Sequence, residues 1–422
     1  MAEPRLNSRH FIPLFITQAL GALNDNLFKN ALVVLALYRL STAQAGALSA
    51  LSGGLFLLPY ILVSAPAGQL ADAHDKARLI LWTKYWELGL MALALAGFLA
   101  HDFRFLMAVL LGLGLQAAFF SPLKYGLLPE LFTGDRLVKA NGAVEAGTFA
   151  GIVLGTVAGG ILVLLPHGRL LAPLAAIALS LAGIASARKI PPATAADPAL
   201  RPDWNLWRAN VRLLRAAAAN RQVWFACWGI SWFWALGATV LAAFPVLAKA
   251  LLHADGHVVT LMLGVFAVGV GFGSLAAARF VHARTLLHFV LPAGLGMSLF
   301  IGDFAASTAH LVAPDVPSLL THAAGWRALA DLALIAICGG LFSVPFYVLL
   351  QASAAPAARA RMVGANNVLN AAATLLAGGV EALAYARGLG PGVILVTAAV
   401  LNLLVMAWIW RAAASRSRRS GQ

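Results

Sequence analysis

The sequence predicts an all-α polytopic membrane protein: twelve transmembrane helices in two six-helix bundles related by pseudo-two-fold symmetry. Three observations predict it. Of the 422 residues, 61% are hydrophobic and 11% charged, with a mean hydropathy of +0.83, more apolar surface than a soluble chain of this length could bury. Twelve apolar runs are long enough to cross a bilayer, at 11–40, 47–69, 79–100, 105–124, 139–165, 170–187, 222–248, 258–280, 285–304, 328–351, 362–385 and 390–411. The basic residues, finally, divide unevenly between the two ends of these runs. With the N-terminus in the cytoplasm, twenty-two of the 30 Lys and Arg fall at cytoplasmic ends or loops, while the six outer loops hold one each: Arg39, Arg104, Arg169, Lys249, Arg327 and Arg387. Such asymmetry places both termini in the cytoplasm. It also accounts for the net charge of +14: orientation and lipid headgroups explain it, and no nucleic-acid partner is expected. The chain opens "MAEPRLNSRH" and runs into a span too long for a signal h-region, so no cleavable signal is expected.

Span one is the most unusual. Its stretch "LGALNDNLFKNALVVLAL" is apolar at both ends, yet carries Asn24, Asp25, Asn26, Lys29 and Asn30. On a helix Gln18, Gly21, Ala22, Asp25 and Lys29 form one stripe, with Asn26 and Asn30 beside it. Asp25 and Lys29, four apart, can pair. Either charge alone costs roughly 2.5–3.5 kcal/mol at the bilayer centre, so such residues face a bundle interior or an aqueous path. Two readings stand: handling of a substrate or ion, and an ion pair that fixes helix packing.

After span two comes "GQLADAHDKAR". Gly68 permits close helix approach, Asp72 can attract a neighbouring helix N-terminus, and Lys76 with Arg78 hold the loop at the cytoplasmic face. Span three carries Lys84 and Glu87, and span four ends in "SPLKYG", with Lys124 and Tyr125. Span five opens with Asn141 and Glu145 and continues with Gly147, Gly151, Gly155 and Gly159, spaced by four so that one face is bare backbone for helix packing. The longest connection, Arg188 to Arg221, divides the chain into bundles at 1–188 and 221–422, joined by a linker at 189–220. Within the linker Trp204, Trp207, Val211 and Leu214 recur at helical spacing while Arg201, Arg208, Arg212 and Arg215 face elsewhere. This is an amphipathic helix, lying on the inner leaflet or serving as a solvated linker. Span eleven opens with Asn366, Asn367 and Asn370, and Glu381 lies near its end; an interfacial anchor is the expected role of Lys84, Lys124 and Glu381.

The halves echo each other. "FFSPLKYGLLPELF…ANGAVEA" in spans four and five parallels "LFSVPFYVLLQASA…GANNVLNA" in spans ten and eleven. A parallel repeat of six spans is the architecture of major facilitator transporters. The loop "GQLADAHDKAR" resembles that family's signature, which implies that Gly68, Asp72, Lys76 and Arg78 latch the inner gate. Ala73 and Asp75 depart from the signature, where a basic residue and a glycine are usual. Gly142, Gly151, Gly155, Gly159 and Gly160 resemble the family's antiporter motif, with Thr156 in place of its proline; packing is the preferred meaning.

Together "GALNDNLFKNAL", "SPLKYGLLPEL" and "ANGAVEAGTFAGIVLGTVAGG", with a weaker echo at "SWFWALGA", resemble the bacterial lysophospholipid transporter family. The resemblance implies a flippase that moves lysophospholipids such as lysophosphatidylethanolamine from the outer to the inner leaflet of the bacterial inner membrane by alternating access. It implies an acyltransferase and acyl-carrier synthetase as functional partners, expected on a separate chain because this one ends "RRSGQ". Asp25 and Lys124 match the family's polar cavity positions. Some members carry an intramembrane base in span seven, whereas here none occurs before Lys249. The expected substrate-binding set is Asn24, Asp25, Asn26, Lys29, Asn30, Lys124, Tyr125, Asn141, Glu145, Asn366 and Asn370. A few charges and amides among Leu, Phe and Ala suit a lipid with a polar head and one tail.

The nearest rival is a proton-coupled efflux pump for amphipathic drugs or metabolites, with Asp25 or Glu145 as the proton site. A scaffold or receptor built on the same fold is a third class, against which the buried charges argue. An enzyme is not expected: "HLVAPD", His310 to Asp315, has the spacing of an acyltransferase base and acid but lies in a short outer loop. "HADGH", His253 to His257, reads as a solvated loop rather than a metal site. Cys227 and Cys338 fall within spans and suggest no disulfide, and no cofactor or metal is expected.

Overall fold

The computed structural model describes residues 6, 8–283 and 285–420. Its helices are α1 (Ile12–Arg39), α2 (Thr42–Ala73), α3 (Lys76–Ala100), α4 (Phe103–Leu131), α5 (Gly134–Leu164), α6 (Gly168–Ala187), α7 (Leu206–Ala219), α8 (Arg221–Ala250), α9 (Gly256–Phe280), α10 (Leu286–Thr308), α11 (Val316–Thr321), α12 (Ala323–Ser353), α13 (Arg359–Ala386) and α14 (Pro391–Ser420), with a 3-10 turn at Pro356–Ala358. Twelve of these have 20 residues or more; α7 and α11 are the short ones. No strand occurs among the described residues.

Among the described residues, eleven helices are both long and apolar enough to cross a membrane. The twelfth long helix, α1, falls short because Asn24, Asp25, Asn26, Lys29 and Asn30 lower its mean hydropathy. In a bilayer every backbone group must be satisfied within the segment, which a helix does for itself. What remains is how the helices associate. Many large side chains stay exposed, Phe272 at 64% and Leu376 at 70% among them, as expected where lipid rather than water covers the surface.

By contact the chain forms two compact units. One holds residues 1–140, 147–228 and 349–372; the other holds 141–146, 229–348 and 373–422. In the first, α2 runs against α4, and α3 against both α4 and α6, while α1 packs on α6. Phe28, Met91, Phe98, Leu106, Leu110, Leu113, Ala172 and Ala176 belong to its core, with the Phe28 and Phe98 rings edge to face at 6.1 Å. A Cβ added to Gly151 would come within 2.8 Å of the Ala19 carbonyl oxygen, and one on Gly155 or Gly159 would overlap the carbonyl of Leu23 or Leu27. These glycines bring α5 into backbone contact with α1. In the second unit α10 packs on α14, and Asn402 joins them by donating to the Gly294 carbonyl (2.7 Å) and Ser298 Oγ (2.8 Å).

Helix α7 lies in the linker, where an amphipathic helix is expected. It buries Ala209, Leu213 and Ala217, and Asn210 Nδ2 donates to the Leu62 carbonyl at 2.9 Å. Small side chains let it lie close on α2, which turns the tryptophans outward: Trp204 is 60% and Trp207 82% exposed. The face that meets the protein is thus the one with Ala209, Leu213 and Ala217, and the side with the tryptophans is left to lipid or solvent.

Candidate functional site

The polar residues of α1 divide by what stands opposite each. Asn24 is fully buried; its Nδ2 donates to Glu87 Oε1 (3.0 Å) and to Ser180 Oγ (2.9 Å). Ser180 Oγ donates to the same Glu87 oxygen at 3.2 Å. Glu87 Oε2 meets the Lys84 ammonium at 2.6 Å. That ammonium also lies 5.1 Å from the centre of the Phe120 ring. Lys84 is inaccessible and Glu87 is 1% exposed. Gly21 makes the arrangement possible, since a Cβ there would sit 2.7 Å from Lys84 Nζ. So Lys84 is no interfacial anchor: three helices, α1, α3 and α6, close over a charged hub. Glu381 is likewise buried rather than at an interface. Lys124 is half-buried, with its ammonium 4.7 Å from the Tyr125 ring centre.

Asp25, next to Asn24 on α1, is half-buried. Its Oδ1 is shielded from solvent and has no hydrogen-bond partner among the described residues. The expected ion pair with Lys29 does not form. The Lys29 ammonium instead lies over the Phe56 ring, 5.8 Å from its centre. A long side chain with an aromatic face within reach is satisfied there, which leaves Asp25 open. The remaining amides hold backbone: Asn26 Nδ2 donates to the Ala22 carbonyl (2.8 Å), and Asn30 Nδ2 to that of Thr156 on α5 (2.6 Å).

Asn366 and Asn367 on α13 are buried in the same compact unit as α1, and Ser121 Oγ of α4 donates to Asn367 Oδ1 at 3.1 Å. Tyr125 is buried there as well, and Asn370 belongs to that unit. Asn141 and Glu145 are buried in the other unit. The expected substrate-binding set is thus distributed over both units.

The end of α2 and the start of α3 make a second cluster. Asp72 is inaccessible, and its carboxylate accepts from the backbone N–H groups of Ala360 (3.1 Å) and Arg361 (3.0 Å) and from Arg361 Nε (3.0 Å). It therefore sits on the first turn of α13, where the helix dipole and free N–H groups favour an anion. Arg361 also reaches Asp197 at 3.0 Å, and the Asp197 N–H donates to the Asp72 carbonyl at 2.8 Å. Gly68 allows the approach: a Cβ there would lie 2.8 Å from Arg361 Cα. Buried Lys76 pairs with Glu130 at 2.7 Å. Arg78 is exposed and forms no ion pair among the described residues. Asp75 plays a separate part, since its Oδ1 accepts from the N–H groups of Ala77 (2.8 Å) and Ala193 (3.0 Å), capping α3 and tying down the linker.

Sequence reasoning missed Ser180, Glu130, Asp197 and Arg361. A single serine in an apolar span gives no signal of its own. Arg361, a base at the mouth of span eleven, lies 289 residues from Asp72, and no local pattern pairs the two. In the segments before α9 and α11, Asp255 caps α9 and contacts His257 at 3.0 Å, while Asp315 caps α11. Those acids serve helix ends, and no group of metal-binding side chains assembles among the described residues.

Comparison with known proteins extends this picture. The family model described as the Major Facilitator Superfamily matches residues 12–378. Proteins named lysophospholipid transporter from Escherichia fergusonii and Shigella flexneri are each 33% identical to this chain, and one from Citrobacter koseri is 34% identical. Each match covers 85% of this chain and 85% of the relative. Among solved structures, the human organic anion transporter MFSD10 (TETRAN) superposes with a TM-score of 0.72 at 15% identity, covering 95% of this chain and 99% of that one. A bacterial homologue of the iron transporter ferroportin, in an outward-facing state, gives 0.68 at 15% identity, covering 94% and 99%. At such identities the structural likeness concerns the fold alone.

Proposed function

The chain belongs to the Major Facilitator Superfamily, and on that premise we propose that it is a lysophospholipid transporter. It moves lipids such as lysophosphatidylethanolamine from the outer to the inner leaflet of a bacterial inner membrane by alternating access, where they are reacylated. The observation that carries the substrate class is the identity of about one residue in three with lysophospholipid transporters over 85% of both chains. The site supports it. A lysophospholipid brings a phosphate, in many cases an ammonium, and one acyl tail. Asp25 offers a carboxylate oxygen with no protein donor, ready for an ammonium, while Lys29 and Lys124 offer cations for the phosphate. Both termini lie in the cytoplasm, as the basic residues favour, and the acyl-transferring enzymes act as separate polypeptides; this chain transports and does not catalyse. The sequence halves at 1–188 and 221–422 move against each other, with 189–220 as the connection.

In this reading the Asp72 cluster is the cytoplasmic latch, with Gly68 and Lys76 in supporting roles. Every hydrogen bond to the Asp72 carboxylate comes from α13, so inward opening requires that carboxylate to leave its helix terminus. Arg78 acts at the membrane surface. Gly147, Gly151, Gly155 and Gly159 hold α5 to α1 so that the polar face of α1 keeps its place.

The test is uptake of labelled lysophosphatidylethanolamine by spheroplasts lacking their own transporter. The chain confers arrival in the inner leaflet, and Asp25→Asn abolishes it while still inserting. Normal transport by that variant would remove Asp25 from the site. No uptake by the parent chain would shift the assignment to an exporter of the same fold.

A further inference from the structure

Two of the six bases expected at outer loops meet at one place. The last turn of α1, the end of α5 and the first turn of α6 enclose a cavity of about 410 Å³, all within one compact unit. Small-ligand sites commonly measure roughly 300–1,000 Å³. Arg39 lines it from α1, and His167 and Arg169 line it from the start of α6. A tight turn places the second pair. His167 takes a left-handed φ of 60°, and a Cβ on Gly168 would overlap the Val163 carbonyl, so glycine lets α6 begin this close to the end of α5.

None of Arg39, His167 and Arg169 makes an ion pair or side-chain hydrogen bond among the described residues. No acid lines the cavity. At this end of the bundle Asp102 is the acid among the described residues, and the N–H groups of Arg104 (2.9 Å) and Phe105 (3.0 Å) engage it. Two guanidiniums that share a cavity without an acid repel each other, and an anion between them reverses the sign of that interaction. The first turn of α6 has no side-chain cap, and its dipole favours an anion in the same lining. The apolar lining suits a lipid. Leu35 and Val163 are buried, whereas Tyr38 and Leu164 are 70% and 52% exposed.

We propose that this cavity is a receiving site for the phosphate of a single-tailed lipid in the outer leaflet, held by Arg39 and Arg169 before it crosses. Guanidinium forks match phosphate oxygens two at a time, and the exposed apolar rim lies where an acyl chain continues into the bilayer. The lipid's identity rests on the lysophospholipid reading above; the phosphate chemistry rests on the cavity. Arg39 lies fourteen residues after Asp25 on α1, about 21 Å along the axis, so one headgroup occupies the two places in succession.

A site of first contact governs capture rather than crossing. In spheroplast uptake, Arg39→Gln/Arg169→Gln is expected to raise the half-saturating concentration of lysophosphatidylethanolamine about tenfold and to keep the maximal rate within about twofold. Arg39→Lys/Arg169→Lys keeps both charges and recovers most of the affinity. If the Gln pair inserts poorly, Arg39→Gln alone, at an exposed position, reads the same shift at about threefold. An unchanged half-saturation, or no recovery with lysine, overturns the proposal. A second readout needs no transport. Tyr38→Cys, with Cys227→Ser and Cys338→Ser, is labelled from outside by a membrane-impermeant maleimide. Lysophosphatidylethanolamine slows that labelling, and the Gln pair abolishes the protection. Glycerophosphoethanolamine, the same head without its tail, and inorganic phosphate protect only at concentrations on the order of 100-fold higher. Equal protection by inorganic phosphate overturns the proposal in favour of a free-anion site. No protection, or labelling from the cytoplasmic side alone, overturns it outright. A parent that is protected by the lipid but does not transport it supports this site and removes the transport reading. A parent that transports the lipid without protection removes this proposal alone.

Discussion

Asp72→Asn isolates the latch, because asparagine keeps the shape of aspartate and removes its charge. Three donors converge on this one carboxylate at 3.0–3.1 Å: two backbone N–H groups of α13 and the Arg361 guanidinium. A hydrogen bond to an ionised group contributes about 1.5–3 kcal/mol. The amide retains a single acceptor oxygen and turns its own NH2 toward donors. Arg361 keeps its second partner, Asp197, which limits the damage, so a net loss of about 3 kcal/mol is the expected size. That corresponds to on the order of 100-fold in the ratio of latched to unlatched protein. Ala360 reports on it, being inaccessible while the latch is closed. A cysteine placed there by Ala360→Cys, in a background with Cys227→Ser and Cys338→Ser, reacts with an aqueous maleimide only through the unlatched state. With opening fast relative to labelling, the rate follows the open population. The variant Asp72→Asn therefore labels faster by on the order of 100-fold. Equal labelling rates, in proteins of equal insertion, would show that Asp72 does not hold α13, and the latch reasoning would be wrong.

Two further outcomes follow from local geometry. Gly155→Leu drives a side chain into the Leu23 carbonyl of α1 and is expected to destabilise the protein by about 3 kcal/mol or more. A thermal aggregation assay in detergent reads this as a lowered midpoint, against Gly237→Ala as a control, since nothing lies within 4 Å of a Cβ at Gly237. Outside the membrane, Arg208 holds the Asp203 carboxyl down from 3.8 to about 2. Because the folded value is depressed, the stability this brace lends to the start of α7 is complete above the ordinary value and is lost as pH falls through about 2. Fluorescence from Trp204 and Trp207, compared between the parent and Asp203→Asn, is expected to change in the parent only over that acid range.

How much of this was legible depended on whether a feature is local. The spans, the glycine face of α5 and the polar interruption of α1 follow from composition and period, which the chain carries in every turn. The loop after α2 was legible as a charged device because its motif is contiguous. Its partners were not: Arg361 lies 289 residues from Asp72, and nothing in "RARMVGANN" shows which acid its arginine meets. Helix α7 was legible as amphipathic, with tryptophans that the fold leaves exposed, but its buried residues, Ala209, Leu213 and Ala217, gave no signal of their own. Small residues such as Ala209 and Ala217 are buried as α7 packs on α2, and an alanine carries no periodic signal of which neighbour it will meet. Period predicts which residues share a face, and the shape of the neighbour decides which face is used.

The two acid–base couples of α1 and α3 show the same limit more sharply, and they separate scaffold from site. Lys84 and Glu87 are three apart and pair; Asp25 and Lys29 are four apart, at the spacing more favourable for an isolated helix, and do not. Spacing on one helix is a difference of a few tenths of a kcal/mol, whereas leaving a buried charge unsatisfied costs several, so the surroundings decide. Around Lys84 and Glu87 everything is supplied: bare backbone at Gly21, an aromatic face at Phe120, and donors from Asn24 and Ser180 for the second carboxylate oxygen. Lys29 finds Phe56. Of these four charges, Asp25 alone keeps a buried oxygen that no described neighbour satisfies. A chain that satisfies the other three with protein, and leaves this one open, has retained a costly group whose missing partner is not part of the fold. In a transporter that partner is what it carries, which is why the loss of Asp25's charge is expected to end transport.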